Sequence, residues 1–568
     1  MTLAVAVALA IAVFLTFRSR SRERRREVLR AAWGVATDRV PKIDTIFESW
    51  RSRVAHTQPD AYLDDRTWTD LNLDEVFAAI DRTVSTLGQE ALYHRLRTAP
   101  LSDHLDAFEA LAQRVTTDAA TRERAQLAVS RLQDPHGYNV WWLADSSAIE
   151  SHRWYALFPL LTISTIALAI TSLVWHPAIS LFVAILAVDL GVRVAAAKHM
   201  VTLGMALRRI APIVATAQDL TFLGGDDIAP IVGKISTDAA ALRRLKTTAR
   251  WASDDPLMLS VGASPLGYMA STFVSAVYEY VNMVLLLDGN AVLFGARDLR
   301  EHRGSLLRVV AAIGDVDAAL SVASWRAERD DWTRPTFTAR GTRATFEDVH
   351  HPLVLDAVAN SIRFDAGRGA LITGSNMSGK STFLRTIGVN AVLAQTINTC
   401  LAARYEAPVF RVQSCIGRSD DLLAGKSYYI VEVEEVLRRV RASEADAPHL
   451  FLFDELFRGT NAIERVAAAE AVLRELVGSS DAPRPHIVLA ATHDGELVDL
   501  LRDVFESYHF SDSLGEQGLT FEYRLEPGPA TTRNAITLLA LHGAPASLVS
   551  RALALASAIE HQRERTIE

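Results

Sequence analysis

The apolar run Ala370-Leu371-Ile372-Thr373 leads straight into G-S-N-M-S-G-K-S, Gly374 to Ser381. This is the pattern G-x-x-x-x-G-K-[ST], and it demands a buried strand, a tightly curled loop and a helix in that order. The glycines let successive backbone N–H groups point at one anion, and the helix expected over 381–393 adds its positive N-terminal end. Gly374, Ser375, Asn376, Met377, Ser378 and Gly379 are the expected cradle for phosphates. Lys380 reaches the outer phosphates, the Ser381 hydroxyl is a Mg²⁺ ligand, and Thr382 follows at the helix start. Such a unit predicts an α/β nucleotide-binding domain.

Downstream, Leu450-Phe451-Leu452-Phe453 ends in Asp454-Glu455. A buried parallel strand delivers Asp454 beside the loop to hold Mg²⁺, and Glu455 is then placed to orient or deprotonate a water. A second apolar run, Ile487 to Ala491, ends in Thr492-His493, where His493 can sense a terminal phosphate. Alone, such a histidine is more often structural. The stretch Asp420-Asp421-Leu422-Leu423-Ala424-Gly425-Lys426-Ser427 precedes a helix expected to bury Ile430, Val433, Leu437 and Val440. It reads as a second anion loop or, more plainly, as a helix cap by Ser427.

With 568 residues the chain exceeds a single core, and its formal charge of −8 argues against binding nucleic acid through overall charge. Its two cysteines, Cys400 and Cys415, offer neither zinc spacing nor a disulfide framework. Apolar residues are unevenly spread. Thr2 to Phe17 carries no charge and precedes six arginines between Arg18 and Arg26, which reads as an N-terminal transmembrane anchor with its basic flank in the cytoplasm. Tyr155 to Trp175, then His176-Pro177, then Ala178 to Val192 reads as a transmembrane helical hairpin. No ionisable residue occurs from Leu157 to Val174. A buried hairpin in a soluble core is the alternative, and Asp189 is the anomaly in the membrane reading.

The expected organisation is an anchor (1–18), a basic juxtamembrane helix and linker (19–65), a first helical core part (66–150) and the hairpin (151–198). A second helical part (199–340) and the nucleotide-binding domain (341–568) follow. Thr86-Leu87-Gly88-Gln89 has capping-box form. Arg243, Arg244, Lys246 and Arg250 make a basic patch at helical spacing, for which a solvated face is the plainer reading.

The block from Thr345 to Ile559 resembles the MutS family of DNA mismatch-repair ATPases. The resemblance lies in His351-Pro352, T-G-S-N-M-S-G-K-S-T-F-L-R, D-D-L-L-A-G-K-S, F-D-E-L-F-R-G-T-N and A-T-H-D-G-E-L. Asp81 to Leu96 and Ala318 to Phe337 are more weakly similar to the family's helical core. What the resemblance implies for 341–568 is an ABC-type ATPase domain with a C-terminal helical dimerisation segment, using ATP and Mg²⁺ and closing as a homodimer in which Ser427 acts in trans. It also implies DNA as a partner. Ser375, Ser378 and Phe457 stand where the family usually has Pro, Gly and Gly. No aromatic wedge of the mismatch-reading kind stands in a suitable context, and a hairpin occupies the place of the DNA clamp, as in the smaller membrane-associated branch.

The leading expectation is a membrane-anchored MutS-like ATPase that binds DNA, with its ATPase domain facing the cytoplasm from the inner membrane. The alternative is a membrane-tethered mechanical ATPase acting on a protein partner or the bilayer. A transporter ATPase ranks below both.

Overall fold

A computed structural model describes residues 16, 19–37, 39–58, 62–98, 102–133, 140–144, 153–251, 280–282, 285–339, 343–365, 367–375, 378–417, 428–443, 447–479, 482–515, 518–530, 536, 539 and 543–567. The chain folds as two units that alternate along the sequence. One comprises Met1–Pro59, Ile80–His94 and Leu101–Glu328, the other Asp60–Ala79, Arg95–Pro100 and Arg329–Glu568.

From residue 43 the helices are α1 (Ile43–Thr57), α2 (Asp65–Asp70), α3 (Leu73–Ile80), α4 (Thr86–Arg97), α5 (Ser102–Thr117) and α6 (Ala119–Val129). Next come α7 (Leu157–Ser172), α8 (Ala178–Asp219), α9 (Ala229–Val232), α10 (Ile235–Ala241), α11 (Arg243–Trp251) and α12 (Leu287–Ala327). The first unit is helical because its apolar residues recur every three or four positions. On α5, Leu105, Phe108, Leu111, Ala112 and Val115 are buried; on α12, Leu306, Val309, Val310, Ile313 and Leu320 are. Helix α12 changes direction at His302, whose backbone leaves helical geometry. Its Asp317 carboxylate accepts from Ser85 N and Oγ, both at 2.6 Å, and from Val84 N at 3.0 Å. Beside this contact the two upstream stretches of weak family similarity meet, where Arg82 N donates to Ser321 Oγ at 2.7 Å. The capping box expected at Thr86 differs in detail. Ser85 Oγ accepts from Gly88 N at 3.0 Å, and Gln89 reaches Asp81 at 2.6 Å instead of closing the box.

Trp154–Ser172 and Ala178–Ala195 are long and apolar enough to cross a membrane by length and composition. Their outward faces are bare: Ile163 is 63 % exposed, Ile170 62 % and Val194 69 %. Between them the fully buried Asp189 meets the Thr165 hydroxyl at 2.7 Å. The N-terminal apolar run, apart from Thr16, lies outside the described residues.

The second unit holds strands β1 (Thr336–Phe337), β2 (Ala344–Val349), β3 (Asn360–Phe364) and β4 (Gly369–Thr373), then helix α13 (Lys380–Ile397). After these come β5 (Arg404–Ala407), β6 (Arg411–Cys415), α14 (Tyr428–Ala442), β7 (His449–Asp454) and α15 (Ala462–Val477). The short pair β8 (Gly478–Ser479) and β9 (Ala482–Pro483), then β10 (Ile487–Ala491), α16 (Gly495–Leu501), β11 (Phe505–Gly515), β12 (Gly518–Pro527) and α17 (Ala546–Ile567) complete it. The main sheet runs β12-β11-β4-β10-β7-β6, parallel except for β12. Strands β4 and β10 are buried throughout and β7 almost so, as expected of parallel strands covered on both faces. Register pairs Ala491 with both Ile372 and Asp454, so the segments after β4, β7 and β10 leave the sheet side by side. In such sheets ligands bind beyond the carboxyl ends of the strands. Helix α14 departs from the expected face. Val433, Val436 and Val440 pack inward, while Ile430 and Leu437 are nearly half exposed.

Candidate functional site

At the carboxyl edge, Gly374 and Gly379 adopt φ of 136° and 106°, values that L side chains rarely reach, and Gly379 turns the chain into α13. Between them, the Ser375 and Ser378 hydroxyl oxygens are buried without a hydrogen-bond partner. Asn376 and Met377 lie outside the described residues. The Lys380 ammonium donates to the carbonyls of Gly374 at 2.9 Å and Ser375 at 2.8 Å. It lies 3.4 Å from His493 Nε2.

Ser381 Oγ donates to Asp454 Oδ2 at 2.5 Å. Burial pushes the Asp454 carboxyl up and the neighbouring Glu455 adds to this, while the Ser381 hydrogen bond pulls it back. Glu455 has φ of 53°, a left-handed conformation anchored by its N–H on Ala491 O at 2.9 Å. One carboxylate oxygen is 2.7 Å from His493 Nε2, and the other pairs with Arg458. The His493 turn is held by Asp494, which takes two hydrogen bonds from Arg465 at 2.7 and 2.8 Å. Thus Lys380, Ser381, Asp454, Glu455 and His493 converge, and Thr382 lines the adjoining cavity. Ser427, with all of residues 418–427, lies outside the described residues.

That cavity measures about 520 Å³, and its walls include His351, Val354, Val358, Ser381, Thr382 and Tyr523. This suits a small organic ligand. His351 Nδ1 accepts from Leu353 N at 3.2 Å, and burial, with Arg385 nearby, pushes the imidazole down to about 4. The ring is therefore neutral at pH 7 with its hydrogen on Nε2, an atom that is buried without a partner. Sequence reasoning passed over Arg458, although its place three residues after Glu455 was a visible cue. It flagged Phe457 as a departure without a reason. Here φ of 57° supplies one, because this position holds the left-handed backbone that glycine adopts freely.

A parallel sheet whose strand ends carry a glycine loop, an acid pair and a histidine defines an α/β domain of the ATPase type. Residues 370–560 match the family described as MutS domain V. Residues 370–560 thus carry a domain of the MutS family. It is 36% identical over 277 residues to the DNA mismatch repair protein MutS of Thermus thermophilus, covering 48% of this chain and 32% of that protein. The protein of the same name from Streptococcus sanguinis is 32% identical over 277 residues, covering 46% and 32%. That from Natronomonas pharaonis is 33% identical over 249 residues, covering 42% and 28%. The chain thus spans about a third of the length of the curated relatives it matches.

Proposed function

We propose that the strand-rich unit binds ATP with Mg²⁺ between the 374–381 loop and the end of β7, and hydrolyses it as a homodimer. The observation that carries this reading is the 2.5 Å contact of Ser381 Oγ with Asp454 Oδ2, beside Lys380, Glu455 and His493. The residues fit the ligand. The Ser375 and Ser378 hydroxyls are free to donate to phosphate oxygens, and Lys380 can exchange two loop carbonyls for them. Ser381 and Asp454 would hold the metal, which when bound neutralises charge on the phosphate oxygens. Glu455, held between His493 and Arg458, accepts the proton of the attacking water. His493 orients that carboxylate and, with Lys380, meets the terminal phosphate. The partner's Ser427 completes the site across the dimer. In Glu455→Gln, nucleotide affinity should stay within about twofold of wild type while turnover falls by roughly 10² or more. Unchanged turnover removes Glu455 from this role.

The DNA-repair relation of the family supports DNA as the partner of the helical unit. The basic candidates are Arg243 and Arg244, both exposed on α11; Lys246 donates to Gln218 at 2.5 Å. Binding of the full chain to a DNA duplex should weaken steeply as salt rises, because phosphate contacts release counterions. No binding at low salt would instead favour the second reading, a mechanical ATPase held in the cytoplasmic membrane. The bare apolar faces of α7 and the first half of α8 support that membrane placement.

A further inference from the structure

Strand β6 is the last strand of the main sheet, and its outer edge is closed by α2. Thr67 Oγ1 accepts from Ser414 N at 3.1 Å. The centre of the contact is Asp70, 4 % exposed. Its Oδ2 accepts from Ser414 Oγ at 2.9 Å and Ile416 N at 2.8 Å. Its Oδ1 accepts from Gly417 N at 2.9 Å and lies 3.2 Å from Arg66 Nε. The Asp70 carbonyl accepts from Arg385 Nε at 2.8 Å, and Arg385 lies one turn beyond Ser381 on α13. A Cβ on Gly417 would stand 2.7 Å from Asp70 Oδ1, so any larger residue there must displace the carboxylate or the backbone.

One carboxylate therefore gathers three donors from the last residues before position 418, while its own backbone is fixed to the helix that follows the glycine loop. Closing a strand edge needs only the Thr67 contact; gathering the N–H groups of residues 416 and 417 goes further. We propose that Asp70 is a positioning residue for ATP turnover. It fixes the start of the segment that carries Ser427 relative to the glycine-loop helix. This rests on the reading that the partner's Ser427 completes the site. The brace comes from Asp60–Ala79, a stretch bounded in sequence by two parts of the helical unit.

The test uses the full chain with Asp70→Asn, Gly417→Ala, Thr67→Val and Ser427→Ala, each assayed well below its unfolding midpoint. Asp70→Asn turns an acceptor into an N–H facing an N–H, and Gly417→Ala pushes the same residues off an intact carboxylate. Both should leave the ATP dissociation constant within about twofold and lower kcat by roughly 10-fold to 10²-fold, since misplacement of about 1 Å costs that much. Their double variant should lose no more than the worse single one, because both break one contact. Thr67→Val, which removes the strand-edge contact and the bond to Asp64 Oδ2 but none of the contacts of the Asp70 carboxylate, should keep kcat. If Asp70→Asn and Gly417→Ala keep kcat while Ser427→Ala loses it, the positioning role is overturned. Equal losses in Thr67→Val and Asp70→Asn reduce Asp70 to a structural brace and overturn it too. A Ser427→Ala variant with full turnover overturns the trans reading, and the positioning role with it.

Discussion

In the helical unit Glu109 is closed on Arg326 by two hydrogen bonds of 3.1 and 2.7 Å, each side chain nearly buried. In the strand-rich unit Asp454 stands next to a second acid, Glu455, and its carboxyl is pushed up by burial and by that neighbour. A matched pair compensates its own charges within the fold. Two acids forced together at the end of a strand retain capacity for a ligand. Unfavourable electrostatics in a cleft is a signature of chemistry, whereas compensated electrostatics is a signature of architecture.

The largest test of this contrast is Asp454→Asn. It should cut Mg²⁺-dependent turnover by roughly 10² or more, while the unfolding midpoint stays level or rises because a repelled charge is removed. A lowered midpoint with unchanged turnover would place Asp454 with Glu109. Next, Glu109→Ala leaves Arg326 without its carboxylate in a buried setting and should destabilise the helical unit by about 3 kcal/mol, read by denaturant unfolding. A change under about 0.5 kcal/mol would break the comparison from the other side. The smaller effect concerns acid. His449 is 1 % exposed, and burial, with His486 beside it, pushes it down to about 4. The unfolded chain binds its proton near the ordinary value of 6.5, so between these values it holds more protons than the native state. The stabilisation is complete above pH 6.5 and declines as pH falls toward 4, by up to about 3 kcal/mol. Asp454 runs the opposite way, its contribution being lost as pH rises through its elevated range. His449→Gln should flatten the acid side of the unfolding profile.

Features spelled out by neighbouring residues were legible in the sequence. The 374–381 loop, the strand ending in Asp454-Glu455 and the turn at His176-Pro177 each depend on a few adjacent residues. What escaped depends on distant partners. Asp70 acquires its meaning from Ser414 to Gly417, more than 340 positions away. Ser85 displaces Thr86 as the helix cap because Asp317 gathers the same turn. Ile430 and Leu437 fit a helical apolar stripe as well as Val433 and Val440 do, and only the packing of α14 on the sheet tells them apart. The strain at Phe457 is likewise invisible in sequence. Its ring is buried in the sheet core, so a glycine there would relax the backbone by about 1–3 kcal/mol but lose about 3–5 kcal/mol of packing.

The interleaving of the two units limits how the protein can be dissected. A fragment beginning at Arg329 would carry every strand yet lack α2, leaving the Ser414 N–H and the Arg439 side chain of that edge without Thr67 and Asp64. Such a fragment would offer an open strand to its own copies and tend to assemble edge to edge. The smallest self-sufficient piece is thus not a contiguous half of the sequence. It has to be stitched from residues 60–79, 95–100 and the C-terminal stretch.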